Sequence, residues 1–504
     1  MSSGPRPVHG HGRIKNMKAM IKGGKRQSVA RVHTLLVVLS VFSSAPTWAE
    51  AVNIGSRLEL FVDRFLIEEM QGTEFRLHHP VKAPAAKFPL PPGFYGTVIK
   101  ADTIYQAYWR GRDPGYSGPS YSGHLGEIVQ YAESHDGIEW DLPNLGLHEV
   151  NGSPDNNVIL ARQARVLHNF SPFLDARPGV PREERYKALS GYGGIGGNRP
   201  AEWAQSGRGL HAFVSADGIH WTRKNEVIPY QPEWRHAFDS QNVSFWSPEE
   251  KRYICYFRTW TADGNLRSIS RTTSVDFETW TDPVAMNPNL PGEHFYTNQT
   301  HPYFRAPHIY IALPTRFVPG RGDAPAYNMT DVNATDIMLM TSRAGSTKYD
   351  RLFTEAFIRP GLDPERWRNR SNYVSQNIVP TGRTEISIYH RLGDRYTLRT
   401  DGFVSVNAGA AGGELLTKPL IFSGSKLQLN FSSSAVGGVR IEVQTADRTA
   451  VPGYTLDDAV ELYGDSIEQT YAWTSGADVS ALAGKTVRLR FVLADADVYS
   501  FRFR

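Results

Sequence analysis

Ser134-His135-Asp136-Gly137-Ile138-Glu139-Trp140 decides the fold, because it returns as Ser215-Ala216-Asp217-Gly218-Ile219-His220-Trp221 and, more loosely, as Ser274-Val275-Asp276-Phe277-Glu278-Thr279-Trp280. Each copy follows a β-rich run, at 128–132, 211–214 and 268–272. Asp-Gly supplies a turn with a residue at ease at positive φ, and the Trp packs on the strand that follows. Asp136, Asp217 and Asp276 are therefore turn residues. A degenerate fourth copy, Thr341-Ser342-Arg343-Ala344-Gly345-Ser346, follows Asp336-Ile337-Met338-Leu339-Met340. The spacings of 81, 59 and 70 residues suit a four-stranded unit with variable loops.

Working outward, a polar cluster containing Asn opens a strand between these turns four times: His168-Asn169-Phe170-Ser171, Ser240-Gln241-Asn242-Val243, Thr297-Asn298-Gln299-Thr300 and Ser375-Gln376-Asn377-Ile378. Polar residues at equivalent places in successive units converge on one axis, so these are expected to be innermost strands whose starts line a central funnel. No long stretch has helical spacing, and the fold class is all-β. The repeats predict a five-bladed β-propeller over 50–408, with blades at about 95–141, 166–224, 237–282, 293–357 and 373–408. The segment 57–67, with Leu58-Glu59-Leu60-Phe61-Val62, is expected to close the ring against the fifth blade. After Gly409-Ala410-Ala411-Gly412-Gly413 the pattern becomes an even alternation, as in Lys426-Leu427-Gln428-Leu429-Asn430-Phe431, which predicts a C-terminal β-sandwich over 409–504.

The first 49 residues read differently. A basic stretch runs into Leu35-Leu36-Val37-Val38-Leu39-Ser40-Val41-Phe42 and then Ala45-Pro46-Thr47-Trp48-Ala49, the order of a signal peptide cleaved after Ala49. Export to the periplasm or beyond follows as an expectation. The apolar run is short of the ~20 residues a spanning helix needs, so no membrane span is expected in the mature chain. Charge is nearly balanced, with 55 basic against 51 acidic residues, and part of the excess lies in that leader. The remainder carries no basic stripe of the kind that binds nucleic acid. Cys255, the single cysteine, lies in the strand-like Tyr253-Ile254-Cys255-Tyr256-Phe257 and reads as a small buried hydrophobe.

With these turns the chain resembles the five-bladed propeller glycosidases of glycoside hydrolase families 32, 43 and 68, in which Ser-x-Asp-Gly-x-x-Trp turns are common and a β-sandwich often follows. It also resembles exported proteins of planctomycete type, on Phe61-Val62-Asp63, Asp401-Gly402-Phe403-Val404-Ser405-Val406 and Thr417-Lys418-Pro419-Leu420. The family 32 signature Trp-Met-Asn-Asp-Pro-Asn-Gly is absent, and Arg112-Asp113-Pro114 falls in a loop of the first blade, so no catalytic residue is carried across. The resemblance implies hydrolysis of a poly- or oligosaccharide. The rival readings are a carbohydrate-binding propeller without catalysis and a cell-surface interaction protein.

Glycoside hydrolysis needs two carboxyl groups facing the scissile bond, one protonated as acid and one ionised as base or nucleophile. Four acids lie next to the repeated strands: Asp239, Glu293, Asp175 and Glu385. Asp239 and Glu293 stand just ahead of Asn clusters and are the expected base or nucleophile and acid, the competing reading being that each caps a turn or pairs with an Arg. His168, Asn169, His236, Asn242, His294, Asn298 and Asn377 are the candidate sugar-binding residues, with His301 nearby. Trp109, Trp203, Trp234, Trp260 and Tyr296 are candidate stacking platforms. Asp63 reads as a structural acceptor. The histidines lack a compact metal-ligand spacing, and no metal or cofactor is expected. Gly191-Tyr192-Gly193-Gly194-Ile195-Gly196-Gly197 opens no helix and reads as a loop rather than a phosphate cradle.

Overall fold

The computed structural model describes residues 50–193, 208–231, 233–234 and 236–504. The leader, Trp203 and Gly194 to Gly197 lie outside the described residues. What is described is all-β, strands joined by turns and short 3-10 segments.

Five sheets follow one another along the chain. The first holds Phe94–Ala101, Ile104–Arg112, Glu127–Ser134 and Val158–Ala161, and the second Ser171–Leu174, Tyr186–Tyr192, Gly209–Ser215 and Trp221–Pro229. The third holds Val243–Ser247, Arg252–Trp260, Arg267–Ser274 and Val284–Ala285. The fourth pairs His301–Tyr303, Ala306–Ala312 and Met340–Arg343, and a long hairpin, Thr315–Ala324 with Met329–Ile337, forms a small separate sheet with His294–Phe295. The fifth holds Val379–Pro380, Glu385–Tyr389 and Arg395–Arg399, and its outer strand is Val81–Lys82, supplied from the other end of the chain.

That last pairing corrects the expected closure. Glu59–Leu60 pairs with the C-terminal strand Thr486–Phe503, not with the fifth sheet. Val52–Gly55, Ile67–Gln71 and Glu74–Leu77 join the same ten-stranded sheet through Leu420–Phe422, Gly413–Thr417 and Val404–Ala408. Residues 404–408, expected in the last repeat, thus belong with the C-terminal strands. Leu427–Thr445 and Thr486–Phe503 run antiparallel along most of their length, with a register break between Ser433 and Gly438. The break lets so long a pair bend around a core that includes Phe61, Leu415, Phe431, Ile441, Trp473 and Phe491.

The turns are built alike. Ser134 Oγ accepts from Gly137 N at 2.8 Å, and Asp136 Oδ1 accepts from Ile138 N at 2.7 Å and Glu139 N at 3.0 Å. Ser215 with Asp217, and Ser274 with Asp276, repeat the pattern. The residue after the Asp is left-handed each time: Gly137 at φ 74°, Gly218 at 81° and Phe277 at 69°. In the degenerate copy Gly345 keeps φ 82° and Ala344 stands in place of the Asp, which makes the interval from Asp276 68 residues rather than 70, and Arg343 is put to another use.

Each turn also locks onto the sheet before it. Gln106 donates to Asp217 O at 3.0 Å, and Tyr389 donates to Gly137 O at 2.7 Å, which ties the fifth sheet to the first. A Cβ on Gly218 would lie 2.4 Å from Tyr108 Oη, whereas nothing lies within 4 Å of one on Gly345. Gly218→Ala should therefore cost about 2–4 kcal/mol, strain plus displacement of Tyr108, against about 1 kcal/mol for Gly345→Ala. Paired urea melts check this, and equal losses would mean the Tyr108 contact gives way freely.

The polar clusters lie where the first strands of these sheets begin, and they bond to one another from sheet to sheet. Ser171 Oγ donates to Gln376 at 2.9 Å, Gln241 to Thr97 Oγ1 at 2.9 Å, and Gln299 to Gln241 at 2.8 Å and to Val374 O at 2.7 Å. The four Asn side chains brace backbone: Asn169 donates to Ser240 O, Asn242 to Phe238 O, Asn298 to Tyr256 O and Asn377 to Val98 O. Asn169 and Asn377 hold φ of 60° and 73°, a conformation Asn tolerates better than most residues. Cys255 is fully buried in its strand, and burial pushes its thiol up.

Candidate functional site

Antiparallel order decides which residues meet. In each sheet the start of the first strand, the end of the second and the start of the third share one end, called here the upper end; the Asp-Gly turns are at the other. Asp239 precedes a first strand and Glu127 begins a third strand. Arg110 and Arg258 lie near the ends of second strands, and Arg267 starts a third. All are therefore delivered to the upper end, as are Tyr95, Tyr296, Arg370, Tyr373 and Arg391.

These side chains do converge. Tyr95 stacks on Tyr373 with ring centres 5.6 Å apart, and Tyr296 lies 6.0 Å from Tyr373. Arg258 is ion-paired to Asp239 and lies 5.5 Å over the Tyr296 ring, and Arg110 lies 4.8 Å over Tyr95. Glu127 is buried and both its oxygens are 2.9 Å from His168 Nδ1. Arg110 reaches His168 at 3.1 Å and donates to Asn169 Oδ1 at 2.8 Å.

Both carboxyls are held ionised. Burial pushes Glu127 up, but His168, Arg110 and the Gly123 N–H outweigh it and leave it at about 2. Burial likewise opposes the charge on Asp239, and Arg258, His168 and Arg370 reverse it, so its carboxyl lies below the usual aspartate range. The Asp239 side chain nevertheless keeps 37% of its surface open to solvent. His168 is the shared neighbour: it bonds one carboxylate and feels the other.

The other acids expected at the site lie elsewhere. Glu293 is clasped by Arg351, at 2.6 Å and 3.0 Å, with Arg316 at 3.8 Å. A carboxylate gripped at both oxygens by a guanidinium is a poor proton donor, so the expected role as acid is corrected to a brace between two loops. Asp175 follows its strand at the turn end, about 13 Å along the chain from Ser171. It accepts from Tyr253 Oη at 2.6 Å and from Arg177 N at 2.9 Å, with Lys187 at 3.5 Å, and joins the second sheet to the third. Glu385, also at the turn end, accepts from Arg395 at 2.8 Å and Thr381 at 2.9 Å. Neither can face Asp239.

Of the candidate binding residues, His236 and His294 flank Trp260 at 5.4 and 6.2 Å between ring centres, near Arg267. Asn169, Asn242, Asn298 and Asn377 are committed to backbone, as described above. His301 is buried between Gln299 O and the Ile378 N–H, and burial holds it down at about 4. Trp109 is in the core, Trp234 packs on Phe238 and Phe257, and Trp260 and Tyr296 border the site. Asp63 accepts from Arg343 and from Phe65 N, a structural acceptor as expected. Among the described residues no three of His, Cys, Asp and Glu are grouped to hold a metal ion.

Glu127, Arg110, Arg258, Arg267, Arg370 and Arg391 escaped the sequence reading. The usable signal was strand parity, because charged residues at 110, 127, 258 and 267 fall at strand ends that share the side of the Asn clusters.

No protein-family model and no curated protein sequence matches the chain. Solved structures similar to it include glycoside hydrolases, a phosphorylase and a deacetylase that act on sugars. A glycoside hydrolase family 43 arabinoxylan arabinofuranohydrolase from Bacillus subtilis is 14% identical over 82% of this chain and 96% of its own, with a TM-score of 0.39. An N-acetylgalactosamine deacetylase from F. plautii is 13% identical over 82% and 95%, at 0.41. A family 32 β-fructofuranosidase from Bombyx mori is 9% identical over 85% and 94%, at 0.38.

Proposed function

We propose that the five sheets, spanning 81–399, are the blades of a five-bladed β-propeller, and that residues 52–77 and 404–503 together form a β-sandwich packed on it. The protein is exported, to the periplasm or beyond, after removal of residues 1–49, and it hydrolyses a glycosidic bond of a poly- or oligosaccharide at the upper end of the propeller. Asp239, ionised and partly open to solvent, is the base or nucleophile. His168, its Nδ1 held by both oxygens of Glu127, supplies the proton to the leaving oxygen. The observation that carries this reading is one histidine, leading into the second sheet, that bonds Glu127 of the first sheet and acts electrostatically on Asp239 ahead of the third.

The test is release of reducing ends from a panel of algal and plant polysaccharides and aryl glycosides by the chain from Glu50 onward. Release from at least one substrate is expected; retention of binding with no release across the panel would sink the hydrolytic reading. The second reading, a propeller that binds glycan without cleaving it, has one observation in its favour: neither Asp239 nor Glu127 is held in protonated form.

A further inference from the structure

The upper end holds more positive charge than its own carboxylates balance. Arg110, Arg258, Arg267, Arg370 and Arg391 gather there around the tyrosines, and the carboxylates facing them are Glu127 and Asp239. Glu127 is engaged by His168, with Arg110 beside it, and Asp239 is engaged by Arg258. Among the described residues no carboxylate lies within ion-pair reach of Arg267, Arg370 or Arg391. Their guanidiniums lie over aromatic rings, and Arg391 Nη1 also donates to Arg370 O at 2.9 Å, with Arg267 Nη1 3.5 Å from His294 Nδ1. Arg267 is 4.8 Å from Trp260 and 5.1 Å from Tyr296, Arg370 is 5.5 Å from Tyr296, and Arg391 is 3.8 Å from Phe94.

Ring faces soften the cost of a cation but do not accept N–H bonds as an oxygen does. Donors are accordingly left over: Arg258, 3% exposed, has Nε and Nη1 unpartnered, as are Nε of Arg267, Nε of Arg391 and the buried Tyr373 hydroxyl. Burial, together with repulsion from Arg258 and Arg370, pulls the Arg267 guanidinium below its usual range. Unpartnered charge of one sign is costly unless a ligand of the other sign completes it. Planar forks of N–H donors suit the oxygens of a carboxylate or a sulfate.

We infer that this site takes an anionic sugar, a residue bearing a carboxylate or a sulfate ester, whose oxyanion is bound by Arg267, Arg370 and Arg391. The inference rests on the glycan-binding reading of the site but not on hydrolysis. It names the class of substrate, since a neutral sugar offers nothing to offset three cations.

Calorimetric titration of the purified protein with a galacturonate trimer, a sulfated galactan oligomer and a neutral galactan trimer tests it. At least one acidic oligomer is expected to bind ten-fold or more tightly than the neutral one, with affinity falling as NaCl is raised from 20 to 300 mM. Galacturonate preference would assign a carboxylate, and sulfated-galactan preference a sulfate. Arg370 is exposed, so Arg370→Ala should fold normally and weaken acidic binding ten-fold or more, and Arg391→Met should act in the same direction. Equal binding of neutral and acidic oligomers, absence of acidic binding at millimolar concentration, or indifference to both substitutions would overturn the inference. Acidic binding without bond cleavage would leave it standing and remove the hydrolase, whereas cleavage confined to neutral glycans would do the reverse.

Discussion

Asp239→Asn is expected to lower glycan turnover by about 10²–10⁴-fold, the range typical of removing a base from a proton-transfer step. The amide keeps the shape of the carboxyl and an oxygen that can still accept from Arg258, so substrate affinity should move far less than kcat. The pH profile separates this role from a mere partner of Arg258. Because the Asp239 carboxyl is held below its ordinary value of 3.8, the acid limb contributed by this group should lie below that pH. Glu127→Gln should behave differently. With the carboxylate gone, the His168 Nδ1 keeps an amide oxygen as partner but loses the charge that anchors it, so turnover should fall only partly. Turnover within two-fold of wild type for Asp239→Asn would remove this residue from the chemistry.

The second large effect is on stability. Arg343 donates to Asp63 through Nε at 2.7 Å and Nη2 at 3.0 Å, and to Glu59 through Nη1 at 2.8 Å. Glu59 is 1% exposed and is also met by His308 at 3.2 Å and Arg57 at 2.7 Å. Arg343→Met leaves two carboxylates short of their partner, which should cost about 3–5 kcal/mol. Burial pushes Glu59 up, yet the bond from His308 and the charges of Arg343, His308 and Arg57 bring it down to about 2 from 4.5. A depressed carboxyl stabilises fully above its unfolded value and loses that contribution as pH falls through the folded one. The wild type should therefore lose stability between pH 4.5 and 2, and the variant should lose less of it over the same window. Denaturation curves at pH 7 and 3 read both effects. Adding Glu59→Gln and Asp63→Asn should restore much of the loss, and a melt unchanged by Arg343→Met would show the cluster to be idle.

The turns were legible because their logic is local: Ser134 and Asp136 bond backbone two or three residues away, so the motif carries its own geometry. The Asn clusters were legible as strand openings for the same reason, but not in what they bond, since Asn169 reaches Ser240 and Asn377 reaches Val98 across to other sheets. Closure was misplaced because Leu58-Glu59-Leu60-Phe61-Val62 has the apolar pattern of a core strand, whereas the strand that closes the fifth sheet is two exposed residues, Val81 and Lys82. The acids show the same divide. Asp239 stands beside an Asn cluster and was found; Glu127 sits just ahead of the run at 128–132 with no such cluster beside it, and only long-range pairing brings His168 to it across 41 residues.

The threading of residues 52–77 through the C-terminal strands also governs how the chain can be made. Glu68 reaches Arg488 across 420 residues, and Glu59 pairs beside Phe501. A polypeptide emerging from its N-terminus must keep this segment unpaired until residues 404–422 and, for Glu59–Leu60, the strand Thr486–Phe503 have appeared, and contacts so distant in sequence form late and slowly. The sheets between can assemble in passing, but residues 52–77, made before them, find their place after them. Loss of even a short C-terminal piece would strand both ends at once.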